Sequence, residues 1–151
     1  MIAAIALGSN VGDRRAHLDF AVSRLRSLVQ NLIVSRYYET EPVGAPTPQA
    51  LYLNAAAVGE VTQSARALLD GLMKIERERG RERPFVNAPR TLDLDLILFG
   101  DSVIDEPGLA VPHPRFRERR FVLEPLAEVA PELVDPVTGL TVAALLGGET
   151  S

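Results

Sequence analysis

The chain has no cysteine among its 151 residues, which excludes disulfides, zinc-thiolate sites, iron-sulfur clusters and thiol nucleophiles. It also lacks any apolar run of the length that a membrane span requires. The opening Met1-Ile2-Ala3-Ala4-Ile5-Ala6-Leu7 is apolar, but it has no basic lead and reaches Gly8-Ser9-Asn10 too soon for a secretory signal. An excess of positive charge is missing as well: the formal charge is -4, which disfavours nonspecific binding to nucleic acid. No internal repeat or low-complexity linker divides the sequence. With 46% apolar and 24% charged residues, the length suits one well-cored domain and is short for two. A single domain over residues 1–151, located in the cytoplasm, is the expectation.

What is present alternates between strand and helix patterns. Residues 2 to 7 read as a buried first strand ending in a Gly-Ser-Asn turn. Leu18, Ala21, Val22, Leu25, Leu28 and Val29 recur at helical spacing, which predicts a helix over about 13–30 capped by Asp13 or Asn10, with His17 at its surface. Ile33 to Tyr38 predicts a strand, and the three prolines and glycine of Thr40 to Gln49 predict a long loop. Tyr52 to Val61 predicts another strand, and Ala65, Leu68, Leu69, Leu72, Met73 and Glu76 line one face of a helix over about 64–79. Gly100-Asp101-Ser102 reads as a hairpin turn into a strand near Val103 and Ile104, followed by short helical pieces near 119–129 and 141–146. The order strand, helix, strand, strand, helix, strand is that of an α+β ferredoxin-like sandwich. In such a fold the helices pack on one face of an antiparallel sheet, and the active site is expected on the loop side.

The most informative stretch is Arg90-Thr91-Leu92-Asp93-Leu94-Asp95-Leu96-Ile97-Leu98-Phe99. Side chains alternate in a strand, so Asp93 and Asp95 share one face while Leu92, Leu94, Leu96 and Leu98 share the other. Two neighbouring carboxylates on a half-buried sheet are costly unless a cation lies between them, and one or two Mg2+ ions would serve. The other explanation is the solvated face of an edge strand. Five arginines, Arg77, Arg79, Arg81, Arg83 and Arg90, fall in the fourteen positions before the strand and favour a polyphosphate ligand. Gly8-Ser9-Asn10 lacks the lysine of a P-loop and reads as a strand-to-helix turn. Arg115, Arg117, Arg119 and Arg120 read mainly as a solvated basic face, and His113, between two prolines, either caps a turn or contacts a ligand.

Several blocks together resemble one enzyme family. These are Leu7-Gly8-Ser9-Asn10, Tyr38-Glu39-Thr40-Glu41-Pro42-Val43-Gly44, Tyr52-Leu53-Asn54-Ala55, Ile75-Glu76 with Gly80-Arg81, and Pro89-Arg90-Thr91-Leu92-Asp93-Leu94-Asp95. Val111-Pro112-His113, Arg119 and Phe121 continue the order. The chain resembles the 6-hydroxymethyl-7,8-dihydropterin pyrophosphokinases, which move the terminal pyrophosphoryl group of ATP onto a pterin alcohol in folate biosynthesis.

The resemblance implies a Mg2+-dependent transferase in which Asp93 and Asp95 hold two metal ions, and Arg81 and Arg90 grip the phosphates and support transfer. It places Glu76, Arg83, His113 and Arg119 on the nucleotide side with those arginines. Thr40, Pro42, Val43, Tyr52, Asn54 and Phe121 correspond to the pterin pocket. ATP and 6-hydroxymethyl-7,8-dihydropterin are the implied substrates, with no nucleic-acid or membrane partner, and the enzyme is expected as a monomer or weak homodimer. The chain departs from the family at Asn87 and Ala88, where many members carry tryptophan and glycine, and at Gly108, Ala110 and Pro114 near the nucleotide. A ligand-binding regulatory module of the same fold is the competing class. The intact aspartates and arginines speak against it, because a sensor has no need of a phosphoryl-transfer centre.

Overall fold

The computed structural model describes residues 1–40, 51–80 and 91–147. The first strand, β1 (Ile2–Ser9), is buried along nearly its whole length. It runs through Gly8 and Ser9, so the turn to the next helix starts at Asn10, later than the sequence suggests. Helix α1 (Arg14–Leu28) is capped by Asp13, whose carboxylate accepts the Ala16 N–H at 3.1 Å, as an N-cap aspartate should. Strands β2 (Gln30–Val34), β3 (Tyr38–Thr40) and β4 (Tyr52–Glu60) follow, then α2 (Ala65–Gly80) and β5 (Asp93–Phe99). The sheet runs β2-β4-β1-β5 with β3 also on β4, and every pair is antiparallel. This is the strand order of a ferredoxin-like sandwich. No helix among the described residues is long and apolar enough to cross a membrane.

The strand expected over Ile33 to Tyr38 is two strands along the same edge of β4. Ser35 spans the break: its backbone N–H donates to the Ala56 carbonyl at 2.9 Å, and its hydroxyl accepts the Ala56 N–H at 2.9 Å. A side-chain oxygen thus replaces one rung of the ladder, which lets the chain bend without leaving a buried amide unpaired.

Alternate residues feed two different cores. On one face Leu7, Leu94 and Leu96 meet Leu18 and Leu25 of α1 and Leu68 and Leu72 of α2. On the other, Ala4, Ala56, Val58, Ile97 and Leu98 pack under α3 (Arg120–Val129) and α4 (Val142–Leu146), with Phe116 and Leu126 fully buried. The second face is therefore partly roofed by helices in addition to the expected pair on the first. Leu98 departs from its expected place beside Leu92, Leu94 and Leu96. A bulge causes this: Ala4 pairs with Leu98 and Ile5 with Leu96, leaving Ile97 extra, so the alternation slips by one.

Beyond β5 the turn at Gly100 is present, but it does not make a hairpin with β5. Strand β6 (Ile104–Glu106) pairs instead with β7 (Leu109–Val111), which the proline-rich sequence hid, across a turn where Gly108 has φ +76°. His17 is partly buried, and its Nδ1 accepts the Arg79 Nε–H at 2.8 Å. Arg117 leaves the expected solvated face altogether. It donates to both oxygens of Asp135 at 2.5 and 3.0 Å, and that aspartate has no exposed surface.

Candidate active site

On the second face of the sheet the registers of β4, β1 and β5 meet near the end of β1. Gly8 of β1 lies opposite Asn54 on one side and Asp93 on the other; one pleat along, Ala6 lies opposite Ala56 and Asp95. Directly opposed residues of antiparallel strands share a face, so two carboxylates stand along β5 and an amide stands across from them on β4. Adjacent strands are about 4.8 Å apart, which puts the two walls roughly 10 Å from each other. Between them the floor is only a glycine and alanines. A β-carbon on Gly8 would come within 3.1 Å of Asn54 Oδ1, so the smallness of this residue keeps the trough open.

Thr40 and Tyr52 are opposed on β3 and β4 and extend the same wall. Asn54 is buried, and its Nδ2 donates to the Thr40 hydroxyl. That bond supplies the partner a buried amide requires, and it joins two of the pocket residues the family resemblance implied. Phe121, at the start of α3, is half-buried and packs against the second-face cluster. Thr40, Tyr52, Asn54 and Phe121 thus belong to one side of the sheet, whereas Pro42 and Val43 lie outside the described residues.

On β5, Asp93 is half-buried and Asp95 is exposed. Among the described residues nothing donates a hydrogen bond to Asp95. The donors on offer are all carboxylate oxygens, and no group of three acidic, histidine or cysteine ligands occurs among the described residues. This set fits Mg2+, which is commonly held by one or two carboxylates together with substrate phosphates and water, not by an all-protein cage. The hydroxyls of Ser9 and Thr91, near the ends of β1 and β5, are buried and have no hydrogen-bond partner among the described residues.

Glu76 of α2 accepts the Leu94 N–H at 2.7 Å. Its carboxylate therefore holds the outer edge of β5 between the two aspartates and ties the last turn of α2 to the acidic strand. His113 follows a cis Val111–Pro112 bond, and its backbone N–H donates to the carbonyl of the bulged Ile97 at 2.9 Å. Its Nδ1 accepts the Arg115 N–H at 3.1 Å, so this histidine does cap a turn. Burial pushes its pKa below the ordinary value; the Asp95 charge pulls upward, and Arg119 and Arg115 add to the lowering. Arg119 stacks 5.7 Å from the Phe121 ring centre. The structure therefore gathers Asp93, Asp95, His113 and Arg119 beside one trough, while Arg81, Arg83 and Arg90 lie outside the described residues.

Sequence reasoning missed Gly8 and Ala6 as floor residues. The signal was there in the period-2 run Ala4, Ala6, Gly8, which marks one face of β1 as unusually small.

The arrangement has relatives among known proteins. The family profile of 7,8-dihydro-6-hydroxymethylpterin-pyrophosphokinase (HPPK) matches residues 4–131. The 2-amino-4-hydroxy-6-hydroxymethyldihydropteridine pyrophosphokinase of Bacillus subtilis is 45% identical over 91% of this chain and 83% of its own. That of Synechocystis is 40% identical over 95% of this chain and 74% of its own. A crystal structure of Plasmodium falciparum HPPK-DHPS superposes with a TM-score of 0.79 at 14% identity, covering 98% of this chain, which spans 44% of that longer one. The chain belongs to the 7,8-dihydro-6-hydroxymethylpterin-pyrophosphokinase family.

Proposed function

We propose that the chain transfers the pyrophosphoryl group of ATP to the hydroxymethyl oxygen of 6-hydroxymethyl-7,8-dihydropterin, a step of folate biosynthesis. In this reaction the hydroxymethyl oxygen forms a bond to the β-phosphorus as the bond from that phosphorus to the α,β-bridging oxygen breaks. AMP leaves with the bridging oxygen, the pterin diphosphate forms, and the hydroxyl proton passes to solvent. The observation that carries the reading is the trough itself: an amide and hydroxyl wall (Asn54, Thr40) faces an acidic wall (Asp93, Asp95) across a floor of Gly8 and Ala6.

Each wall suits one substrate. A pterin is a flat heterocycle with donors and acceptors on its edge, which Asn54 and Thr40 can read while Tyr52 and Phe121 offer ring faces. Pro42 and Val43 complete that pocket by family resemblance. Asp93 and Asp95 would hold Mg2+, two ions by the same resemblance, whose charge would neutralise the phosphates and favour in-line displacement. Arg81 and Arg90 would bind the phosphate oxygens on which negative charge accumulates, with Glu76, Arg83, His113 and Arg119 on the nucleotide side. Positioning and electrostatics then supply most of the catalysis, and no protein base is required. The reading carries with it a cytoplasmic enzyme of one domain, monomeric or weakly dimeric, without nucleic-acid or membrane partners.

The decisive assay is AMP release from ATP with Mg2+, in the presence and absence of 6-hydroxymethyl-7,8-dihydropterin. Pterin-dependent AMP is the expected product. ADP, or AMP formed equally without pterin, would sink the proposal.

A further inference from the structure

Helix α3 carries Phe121 on the trough side of the sheet, and its main attachment to the sheet is apolar. Val122, Leu123 and Leu126 pack with Val58, Ile97 and Leu98. Apolar contact is strong but non-directional, so it fixes neither the slide nor the rotation of the helix to the precision a flat ligand demands. One polar attachment does. Glu128, on the last turn of α3, accepts the Tyr38 phenol at 2.5 Å, the Arg36 backbone N–H at 3.1 and 3.3 Å on its two oxygens, and the Arg36 Nε–H at 3.3 Å. Arg36 closes the group by donating to the Tyr38 hydroxyl at 3.2 Å, with its guanidinium 5.1 Å from the Tyr38 ring centre.

The partners sit where they matter for the pterin wall. Tyr38 is the register partner of Asn54, and Thr40, two residues on, bonds Asn54 directly. Phe121 lies seven residues before Glu128, two helical turns away on nearly the same side of α3. Accepting these bonds holds the Glu128 carboxyl below its usual range, with the Tyr38 hydrogen bond as the main cause.

We propose that Glu128, through Tyr38 and Arg36, is a positioning residue that sets the separation between Phe121 on α3 and the Thr40–Asn54 pair on β3 and β4, and so the fit of the pterin ring. The inference rests on the reading of the trough as a pterin site. The carboxylate touches neither substrate. It acts at the rim, outside both apolar cores, so its loss leaves those cores intact.

The test is steady-state kinetics of the full chain with Glu128→Gln, Glu128→Ala and Tyr38→Phe. KM for the pterin should rise about fivefold to tenfold in Glu128→Ala and less in Glu128→Gln, which keeps one acceptor oxygen. KM for ATP should stay within about twofold. Tyr38→Phe combined with Glu128→Gln should be no worse than the more impaired single variant, because both break one linkage. An unchanged pterin KM, or equal rises for both substrates, would overturn the clamp while wild-type turnover upholds the pterin site. Absence of pterin-dependent AMP from the wild-type protein would overturn the pterin site, and the clamp's role with it. If a variant does not fold, a pterin titration of Arg36→Ala, which removes the guanidinium and keeps the backbone bond, asks the same question. Unaltered pterin affinity there counts against the proposal.

Discussion

The two faces of this sheet are built from the same strands and do opposite work. On the α1–α2 side the inward positions are mostly large aliphatics and alanines, and Leu7, Leu18, Leu25, Leu68 and Leu72 are almost entirely excluded from water. On the α3 side the aliphatic packing stops one pleat short of the strand ends. There β1 presents Ala6 and Gly8 in place of leucines, and β4 and β5 present Asn54, Asp93 and Asp95. A period-2 element can keep these tasks apart residue by residue. One face can therefore be optimised for burial while the other keeps polar groups that would be intolerable in a core.

That division can be broken from either side. The largest effect belongs to Asp95→Ala, which should lower pyrophosphoryl transfer by about a hundredfold or more while leaving the thermal midpoint almost unchanged. A cooperative unfolding shift of many degrees, or ordinary turnover, would show that the faces are not separable at this residue. The mirror experiment is Leu72→Ala on the sealed face. It should cost about 2–5 kcal/mol of stability in denaturant titration, with kcat per folded molecule preserved.

Asp135→Asn tests the outer layer that holds the 3-10 turn Phe116–Glu118 ahead of Arg119. Burial would raise the Asp135 carboxyl, but hydrogen bonds from Arg117, Thr138 and the Val137 N–H outweigh it and hold the pKa at about 2. A carboxyl depressed in the folded state stabilises above its unfolded pKa of about 3.9, and loses that contribution as pH falls toward the folded value. Acid titration of the wild type should therefore show stability declining between about pH 4 and pH 2, and Asp135→Asn should lack that part of the decline. At neutral pH the same variant should be less stable by about 2 kcal/mol.

Gly8→Ala should have the smallest effect on the fold. The added methyl meets the Asn54 amide oxygen at 3.1 Å, so the amide must shift by a few tenths of an ångström. The expected readout is a rise of about threefold in pterin KM with little change in melting. An unaffected KM would mean that the floor has slack and that Asn54 does not depend on it.

Much of this was legible in the chain itself. The leucine periodicities of α1 and α2 and the alternation in β5 each rest on neighbours within a few residues, which is where periodicity carries information. The acidic pair was legible for the same reason. What escaped depends on distant partners. Tyr38 and Glu128 are 90 residues apart, and nothing local in either sequence points to the other. The break at Ser35 depends on Ala56, and the displaced Leu98 depends on where β1 chooses to pair. Strand β7 was hidden because three residues flanked by prolines carry too little pattern to stand out. Arg117 looked like one of four solvated arginines because its buried partner, Asp135, lies in a later turn.

The bulge in β5 has a consequence for how this chain tolerates change in length. Because Ile97 is the surplus residue, a chain lacking it could zip β5 into a regular ladder with Asp95, Leu96, Leu98 and Phe99 all on the faces they now occupy. The ladder itself would stay regular, but the second core would lose the buried Ile97 side chain that packs under α3. The His113 amide would be affected too, since it docks on the Ile97 carbonyl, and the loop after the cis proline would lose its mooring beside the acidic strand. This one-residue excess works as a socket cut into an otherwise complete strand, a position where shortening the chain would keep the strand pairing yet hollow the core under α3 and unseat a neighbour of the site.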